Sequence, residues 1–354
     1  MSSERYERVK NVLQVLENYL QESEQILVRI IHLGRVTGHW LDKNITIKTY
    51  VDSEPTQKAR EIFEQQATKF AEIFKAVRIA QLELDNVYDS SLHDPWFANF
   101  TWEAFSKEEL LVLPAVIALE SAERVAKEGM PALSRLLSSG QPIHVLIGIK
   151  AHSNPHSSSN EFLNYRFELG YFGISHRQAA VSQSSSARHE HLLEQLLSAL
   201  DATRTSLHII NTGMQRIQGI NAWLVAGAAL ESRAHPFFHI NPEVGDSAAD
   251  RMNVAGNPQP ELDWAKHSFQ YTDENDAIID TELAFTFADY ALLVPNLNNY
   301  FRAVPAGYNN ADLIAIETYL ATSGWENYKQ LPFIWAVNED GELHRLIVSR
   351  PLIV

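Results

Sequence analysis

Apolar residues recur at helical spacing in the first quarter of the chain. From Val9 to Leu33 the spacing between apolar residues is close to three or four positions. The next residue is Gly34, and glycine is common at the ends of helices. A second stripe of the same kind covers residues 55–84, from Pro55 to Leu84. The pattern predicts two long amphipathic helices that pack as a hairpin.

Residues 85–105, DNVYDSSLHDPWFANFTWEAF, are rich in turn formers and aromatic side chains. We interpret this segment as a linker packed against the main body of the protein, with Trp96, Phe97 and Trp102 as anchors in the core. A platform on which nucleic-acid bases stack is disfavoured, because the chain is strongly acidic.

From about Leu111 the pattern changes to short apolar runs that alternate with helical segments. The strand-like runs are AVIAL (115–119), IHVLIGI (143–149), AAVSQ (179–183), SLHIIN (206–211) and HPFFHI (235–240). Helical segments are predicted near residues 120–137, 189–200 and 221–232. Continuous apolar strands between helices predict an α/β fold with a doubly wound, mostly parallel sheet. Ligands of such sheets bind beyond the carboxyl ends of the strands, so the loops after Ile149 and Asn211 form the candidate site.

The last hundred residues predict a small α+β extension. Residues 267–285 form a hairpin candidate before a helix that begins near Thr286, and two strand-like runs flank residues 338–341, Asn-Glu-Asp-Gly, a strong turn signal. The chain ends on an apolar Leu-Ile-Val, which predicts a strand that continues in a longer polypeptide or is covered by a partner.

We therefore divide the chain into three parts. They are a helical N-terminal region with its linker (1–110), an α/β domain (111–260) and a C-terminal α+β extension with a terminal hairpin (261–354).

The amino-acid composition and charge restrict the classes of binding partner and the cellular compartment that we expect for this protein. With 44 acidic and 29 basic residues the net charge is −15, which disfavours nucleic acid and anionic membranes as partners. No apolar run is long enough to span a membrane, and the charged N-terminus does not resemble a signal peptide, so we predict a cytoplasmic protein. The absence of cysteine excludes disulfides and iron–sulfur clusters ligated by this chain.

Three segments of the α/β region are similar in sequence to one known family. They are MPALSRLLSSGQPIHVLIGIKAHSNP (130–155), FELGYFGISHRQAAVSQSSSARHEHLLEQLLSALDATRTSLHIIN (167–211) and ALESRAHPFFHINPE (229–243). In their order along the chain and in their residues they resemble the thiamine-diphosphate-binding domain of pyruvate:ferredoxin (2-oxoacid:ferredoxin) oxidoreductases. The resemblance implies the fold of that domain, a thiamine diphosphate held through Mg²⁺, and other oxidoreductase subunits or domains as partners, including iron–sulfur ferredoxin-like ones.

The residues that this family uses for the cofactor are largely replaced. In the family, an Asp between two glycines and an oxygen from a later Asn loop hold a Mg²⁺ that bridges two phosphates, because this hard cation prefers oxygen ligands. The Gly-Asp-Gly positions fall here on residues 121–123, Ser-Ala-Glu, and the family's Asp-Thr becomes Ile149-Lys150. Of the later motif Ser153 and Asn154 remain, which leaves Asn154 as the cofactor-binding candidate.

The resemblance also implies a pyrimidine-binding domain that supplies an activating glutamate, and these residues contain no copy of it. We therefore expect this chain alone to hold no cofactor and to carry no catalytic residue that can be named. In the alternative, Glu120 or Glu123 replaces the missing aspartate as a Mg²⁺ ligand.

Other polar clusters give weaker signals. His152 and His156 have the four-residue spacing of helical zinc ligands but lie in a Pro- and Ser-rich loop, which indicates a solvated segment. Residues 189–191, His-Glu-His, open a predicted helix after three serines that are candidate caps. Ser175 with His176 lacks the Gly-x-Ser-x-Gly turn of hydrolases.

Three functions follow as hypotheses. The first is a degenerate thiamine-diphosphate domain that serves as a structural or interaction module of a larger oxidoreductase, since a fold can persist after its site changes. The second is an active thiamine-diphosphate- and Mg²⁺-dependent 2-oxoacid oxidoreductase subunit completed by a partner. The third is a regulatory α/β protein that binds a small molecule. Thiamine-type domains usually work in pairs, so we expect a homo-oligomer.

Overall fold

The large sheet of the protein is mostly parallel. The computed structural model describes residues 3–21, 26–34, 46–151, 168–213, 220–257, 264–272, 276–294, 297–305, 307–321, 329–337 and 341–348. Within these residues the strands of the sheet are β1 (Val28–His32), β2 (Ile47–Val51), β3 (Ala115–Ser121), β4 (Ile143–Ile149), β5 (Ala180–Ser185), β6 (Ser206–Asn211), β7 (Phe238–Ile240) and β8 (Met252–Asn253). Their order is β2-β1-β3-β4-β6-β5-β7-β8, and the β5–β7 and β7–β8 pairs are antiparallel whereas the other pairs are parallel. The predicted α/β class is confirmed.

Helices cover the sheet and the strand ends. They are α1 (Ser3–Gln21), α2 (Pro55–Leu84), α3 (Ser90–Ala98), α4 (Lys107–Val112), α5 (Met130–Leu137), α6 (Leu169–Ser175), α7 (His189–Leu200), α8 (Ala222–Glu231), α9 (Phe287–Leu293) and α10 (Ile316–Ala321). A helical turn, Ala122–Arg124, and a π-helical turn, Val125–Gly129, lead into α5. None of the described helices is long and apolar enough to cross a membrane.

The main core lies between the sheet and α2. Val116 of β3, Val145 of β4 and Leu207 of β6 are completely buried in the sheet. Ile62 and Phe63 on the apolar face of α2 belong to the same buried cluster. Strands buried in this way read as nearly continuous apolar runs, which explains why the sequence pattern located β3, β4 and β6.

The predicted helix from Val9 to Leu33 is wrong in its second half. The structure ends α1 at Gln21 and forms β1 from Val28, with Ile31 fully buried in the main core. Three of the five β1 residues are β-branched, and such residues favour an extended chain packed on both faces. The predicted helical hairpin is therefore interrupted by β1 and β2.

The first helix nevertheless packs against α2 as expected. Arg5 Nε and Arg8 Nη2 each lie 2.8 Å from the carboxylate of Glu83, which is buried near the end of α2. The helical N-terminal region is confirmed, although β1 also pairs with β3 in the large sheet. The division of the chain at residues 110 and 260 stays a prediction.

The aromatic linker is anchored as predicted at two of its three positions. Phe97 is buried, and Trp102 packs edge-to-face on Phe63 with ring centroids 5.5 Å apart. Trp96 is 46% exposed and lies beneath the Arg78 guanidinium, 5.5 Å from the ring centroid, so its assignment to the core is wrong. A cation over an indole face is favourable even at such an exposed position.

The C-terminal extension contains two small sheets among the described residues. Its strands are β9 (Ala265–Thr272), β10 (Ile278–Phe285), β11 (Phe301–Ala303), β12 (Leu313–Ala315), β13 (Leu331–Val337) and β14 (Leu343–Val348). β9 and β10 form the predicted antiparallel hairpin, and β13 and β14 pair across the predicted terminal turn. Thr286 caps α9 at the predicted start, where its side chain exchanges hydrogen bonds with residues of the first turn.

Candidate functional site

The candidate site lies at the carboxyl edge of the large sheet, where β3, β4 and β6 end side by side. The loops predicted to carry ligand groups follow Ile149 and Asn211 at this edge. Residues 152–167 and 214–219 lie outside the described residues, and so does Asn154, the cofactor-binding candidate, together with His152 and His156. Among the described residues the site consists of the strand ends and the helices that contact them.

Glu120 of β3 is the most deeply buried carboxylate at this edge. Its side chain is 0% exposed and its Oε2 accepts a hydrogen bond of 2.6 Å from Arg124 Nε. Arg124 Nη2 donates to Oε1, so the guanidinium contacts both carboxylate oxygens. Oε1 also accepts from the backbone N–H of Thr56 at 3.1 Å and from the Thr56 hydroxyl at 2.6 Å.

The Glu120 carboxylate caps a helix. Thr56 lies in the first turn of α2, and Glu54, the residue at the N-cap position, makes no capping hydrogen bond through its side chain. The first N–H groups of a helix need acceptors, and negative charge is favourable there. Glu120 supplies both from β3, and Arg124 compensates its charge. The role of this glutamate is therefore structural.

The other alternative metal ligand is exposed and faces a cation. Glu123 Oε1 lies 3.7 Å from Lys150 Nζ, and these two side chains are 48% and 45% exposed. Ser121 and Ala122, at the remaining Gly-Asp-Gly positions, start the helical turn, where Ser121 Oγ accepts from Arg124 N at 3.3 Å and Ala122 is buried. Side chains thus fill the space that glycines would leave for close approach of phosphates.

These residues do not fit a magnesium-bound diphosphate. Mg²⁺ needs several oxygen ligands in octahedral geometry, whereas both Glu120 oxygens are already bound by Arg124 and Thr56. Arg124 and Lys150 are paired with Glu120 and Glu123, so these two carboxylates offer a dication no uncompensated negative charge. Among the described side chains, no group of three or more His, Cys, Asp or Glu could hold a metal ion.

Gly213, two residues after the end of β6, lies close to the first residue of α8. Asn211 is buried, and its Oδ1 accepts from Gly213 N at 3.0 Å, while its Nδ2 has no hydrogen-bond partner. Gly213 has φ +72°, and a Cβ at this position would lie 1.8 Å from the carbonyl oxygen of Ala222. Only glycine fits here, because both the backbone conformation and the close approach of α8 exclude a side chain.

The C-terminal extension covers the end of β4. The Tyr290 hydroxyl of α9 donates to the carbonyl oxygen of Ala151 at 3.2 Å. Ala151 is buried in a cluster with Phe287 of α9 and with Val225 and Ala229 of α8. Ala151, the second residue of the loop after Ile149, is therefore held by two helices from later in the chain.

A buried array of histidines and serines crosses the sheet and was not predicted. His144 Nδ1 of β4 lies 2.8 Å from Ser206 Oγ of β6, which lies 3.0 Å from His208 Nε2. His208 Nδ1 lies 2.7 Å from Ser182 Oγ of β5. Burial lowers the pKa of His144 to about 4, and burial together with the neighbouring His144 lowers the pKa of His208 to about 3. These imidazoles are neutral near pH 7 and satisfy polar groups inside the sheet.

The remaining predicted clusters take structural roles. His191 of α7 faces the sheet, with Nδ1 2.9 Å from Ser184 Oγ and its ring stacked on Phe237. The serine cap predicted for α7 is wrong, since its N-cap residue is Arg188 and makes no capping hydrogen bond through its side chain. Ser175 and His176 contact the Phe172 carbonyl rather than each other, so they form no nucleophile pair.

Comparison with solved structures finds a distant likeness in fold. No family model matches the chain, and no curated protein matches it. A solved 2-oxoglutarate:ferredoxin oxidoreductase from Magnetococcus marinus, with 2-oxoglutarate, coenzyme A and succinyl-CoA bound, matches with a TM-score of 0.32 and 7% identity. The match covers 58% of this chain and 61% of that one, so the chain spans about three fifths of that neighbour's length. At this TM-score the likeness carries no argument about function.

Proposed function

We propose that the chain is a pyruvate:ferredoxin oxidoreductase-like thiamine-diphosphate domain with a degenerate cofactor site, which serves as a structural or interaction module of a larger oxidoreductase. The sequence resemblance over residues 111–260 supports the relation to this family. The α/β fold with its mostly parallel sheet is compatible with that relation. The observation that carries the proposal is the use of Glu120 as a helix cap, neutralised by Arg124.

This use of Glu120 removes the carboxylate best placed to replace the family's metal-binding aspartate. To bind Mg²⁺, Glu120 would have to release the Arg124 guanidinium and the N–H of Thr56, leaving buried donors without an acceptor. Each unpaired donor costs about 1–3 kcal/mol, and more where it is charged. The chain therefore favours the capped arrangement over a remade metal site.

An exposed apolar helix supports the interaction half of the proposal. In α8 the sequence AWLVAGAALE has no charged residue before Glu231, and its Trp223 and Leu224 are 55% and 48% exposed. Helices that are apolar on every side are normally buried, and tryptophan is enriched at the centres of interfaces. We expect a second copy of the chain to cover this face, as in a homo-oligomer.

Sedimentation velocity of the full chain at micromolar concentration tests this half. The wild type should sediment as a dimer or larger, and Trp223→Ser should shift it to the monomer. Leu84→Ser is the matched control, because Leu84 is 81% exposed at the end of α2, away from α8. A wild type that stays monomeric, or an equal shift in both variants, would reject α8 as the surface of association.

A further inference from the structure

A cavity of about 650 Å³ opens at the amino edge of the large sheet, opposite to the candidate site. The starts of β1 and β3 form its floor, and Phe63 and Phe70 of α2 form one wall. Leu113, in the segment before β3, adds to an apolar lining. This volume lies in the range of pockets that bind small molecules, which are mostly apolar with a few convergent polar groups.

The described lining of the cavity is basic, although the chain is acidic. Arg29 and Lys69 lie in its wall, and no Asp or Glu is found among the described residues that line it. Across the whole sequence acidic residues outnumber basic ones, 44 to 29. A lining with this charge favours an anionic ligand.

Arg29 is the group best placed to hold an anion. Its Nη1 donates to the hydroxyl of Tyr50 at 2.7 Å, which ties the guanidinium of this β1 residue to β2. Its Nε is buried and has no hydrogen-bond partner, and no carboxylate pairs with Arg29 anywhere in the described chain. The edge of the guanidinium that includes Nε can therefore donate hydrogen bonds to a carboxylate. Guanidinium groups bind carboxylates in a bidentate geometry.

A second polar group in the wall also lacks a partner. Gln66 of α2 is only 7% exposed, and neither Nε2 nor Oε1 of its amide makes a hydrogen bond. Buried amides without partners are rare in native proteins because they cost free energy, and each one calls for an explanation. The terminal amide torsion of glutamine is broad, so the amide can rotate to donate to a ligand in the cavity.

We propose that this cavity binds a monocarboxylate with an apolar acyl or aryl body. The carboxylate is held by Arg29 and Gln66, and the body lies against Phe63, Phe70 and Leu113. The proposal is independent of the proposed function, because the cavity and the carboxyl edge lie at opposite ends of the strands.

Isothermal titration of the full chain with sodium octanoate tests this site, with 1-octanol as the uncharged probe of the same chain length. Octanoate should bind saturably with one site per chain and more tightly than octanol. Arg29→Met should weaken octanoate about tenfold or more, because it removes a charge-assisted hydrogen bond, and Gln66→Leu should weaken it less. Arg302→Met, which removes an exposed charge on β11, should leave it unchanged.

Circular dichroism and the melting temperature establish that each variant is folded. If Arg29→Met does not fold, Gln66→Leu still tests the site, because it leaves the charge of the cavity unchanged. Three results would overturn the proposal: no saturable binding at millimolar octanoate, equal binding of octanol, or full affinity in both Arg29→Met and Gln66→Leu.

Discussion

The guanidinium of Arg124 binds the buried carboxylate of Glu120 through both oxygens, with Nε 2.6 Å from Oε2. This pair joins the end of β3 to the helical turn that follows it, and through Thr56 it also reaches the first turn of α2. Three elements of the carboxyl edge thus meet at one side chain.

Removing Arg124 should destabilise the fold strongly. Arg124→Met leaves the Glu120 carboxylate buried without its counter-charge, which typically costs about 3–5 kcal/mol. Urea unfolding monitored by circular dichroism at pH 7 measures the loss. Arg204→Met is the control, because Arg204 and Glu243 form an ion pair with each side chain 28% exposed and should contribute within about 1 kcal/mol. Similar losses in the two variants would contradict a structural role for the buried pair.

Gly213 should tolerate no side chain. Gly213→Ala forces a Cβ to within 1.8 Å of the Ala222 carbonyl oxygen and adds backbone strain, so we expect a loss of more than about 2 kcal/mol or failure to fold. The matched control is Gly140→Ala. Gly140 also has a positive φ, +74°, but a Cβ there would meet nothing within 4 Å, so only the cost of the backbone conformation, about 1–2 kcal/mol, applies. Equal losses at the two positions would show that α8 does not press on Gly213.

Acid should destabilise the protein through its buried histidines. The pKa of His144 is about 4 and that of His208 about 3 in the folded protein, because both imidazoles are buried, against 6.5 for the ordinary residue. Below pH 6.5 the unfolded chain therefore binds protons that the folded chain excludes. Stability falls as the pH drops from 6.5 towards 4, by up to about 1.4 kcal/mol per pH unit for each histidine.

Urea unfolding of wild type and His208→Gln between pH 7 and pH 4.5 isolates this effect. The variant should lose less stability over this range than the wild type, whereas His344→Gln, which changes a histidine with 51% of its side chain exposed, should follow the wild type. Asp289 acts in the opposite direction, because burial raises its pKa to about 6 and its contribution improves as the pH falls. It is common to all three proteins and cancels in the difference. Parallel curves for wild type and His208→Gln would contradict a neutral buried array.

Sequence patterns located the elements whose burial is one-sided or continuous. The apolar face of α2 follows from its periodicity, the runs of β3, β4 and β6 follow from their continuous apolar residues, and β9 and β10 pair within the predicted hairpin segment 267–285. Strand β1 was missed, because a short β-branched run after a helix has no spacing that separates it from another helical turn.

Polar contacts between residues far apart in the chain could not be predicted from the sequence pattern. Glu120 meets Thr56, 64 positions earlier in the chain, and His144 meets Ser206, 62 positions later. The packing of α2 against β3 brings the first pair together, and the register of β4 with β6 brings the second. Polar residues at alternate positions of otherwise apolar strands, as in Ser206 and His208, were the available signal, and they indicate one shared face of the sheet.

Binding of thiamine diphosphate with Mg²⁺ is the most direct test of the degenerate site. A ligand that binds only the folded state stabilises it by about 2.7 kcal/mol at 100 times its Kd, which raises the melting temperature by several degrees. We measure the thermal shift and the heat of titration for wild type and Asn154→Ala, with and without a chelator. If the site is degenerate, we expect no shift of the melting temperature and no heat of binding at millimolar cofactor. Stabilisation that is lost on chelation and in Asn154→Ala would contradict it and show that the site is intact.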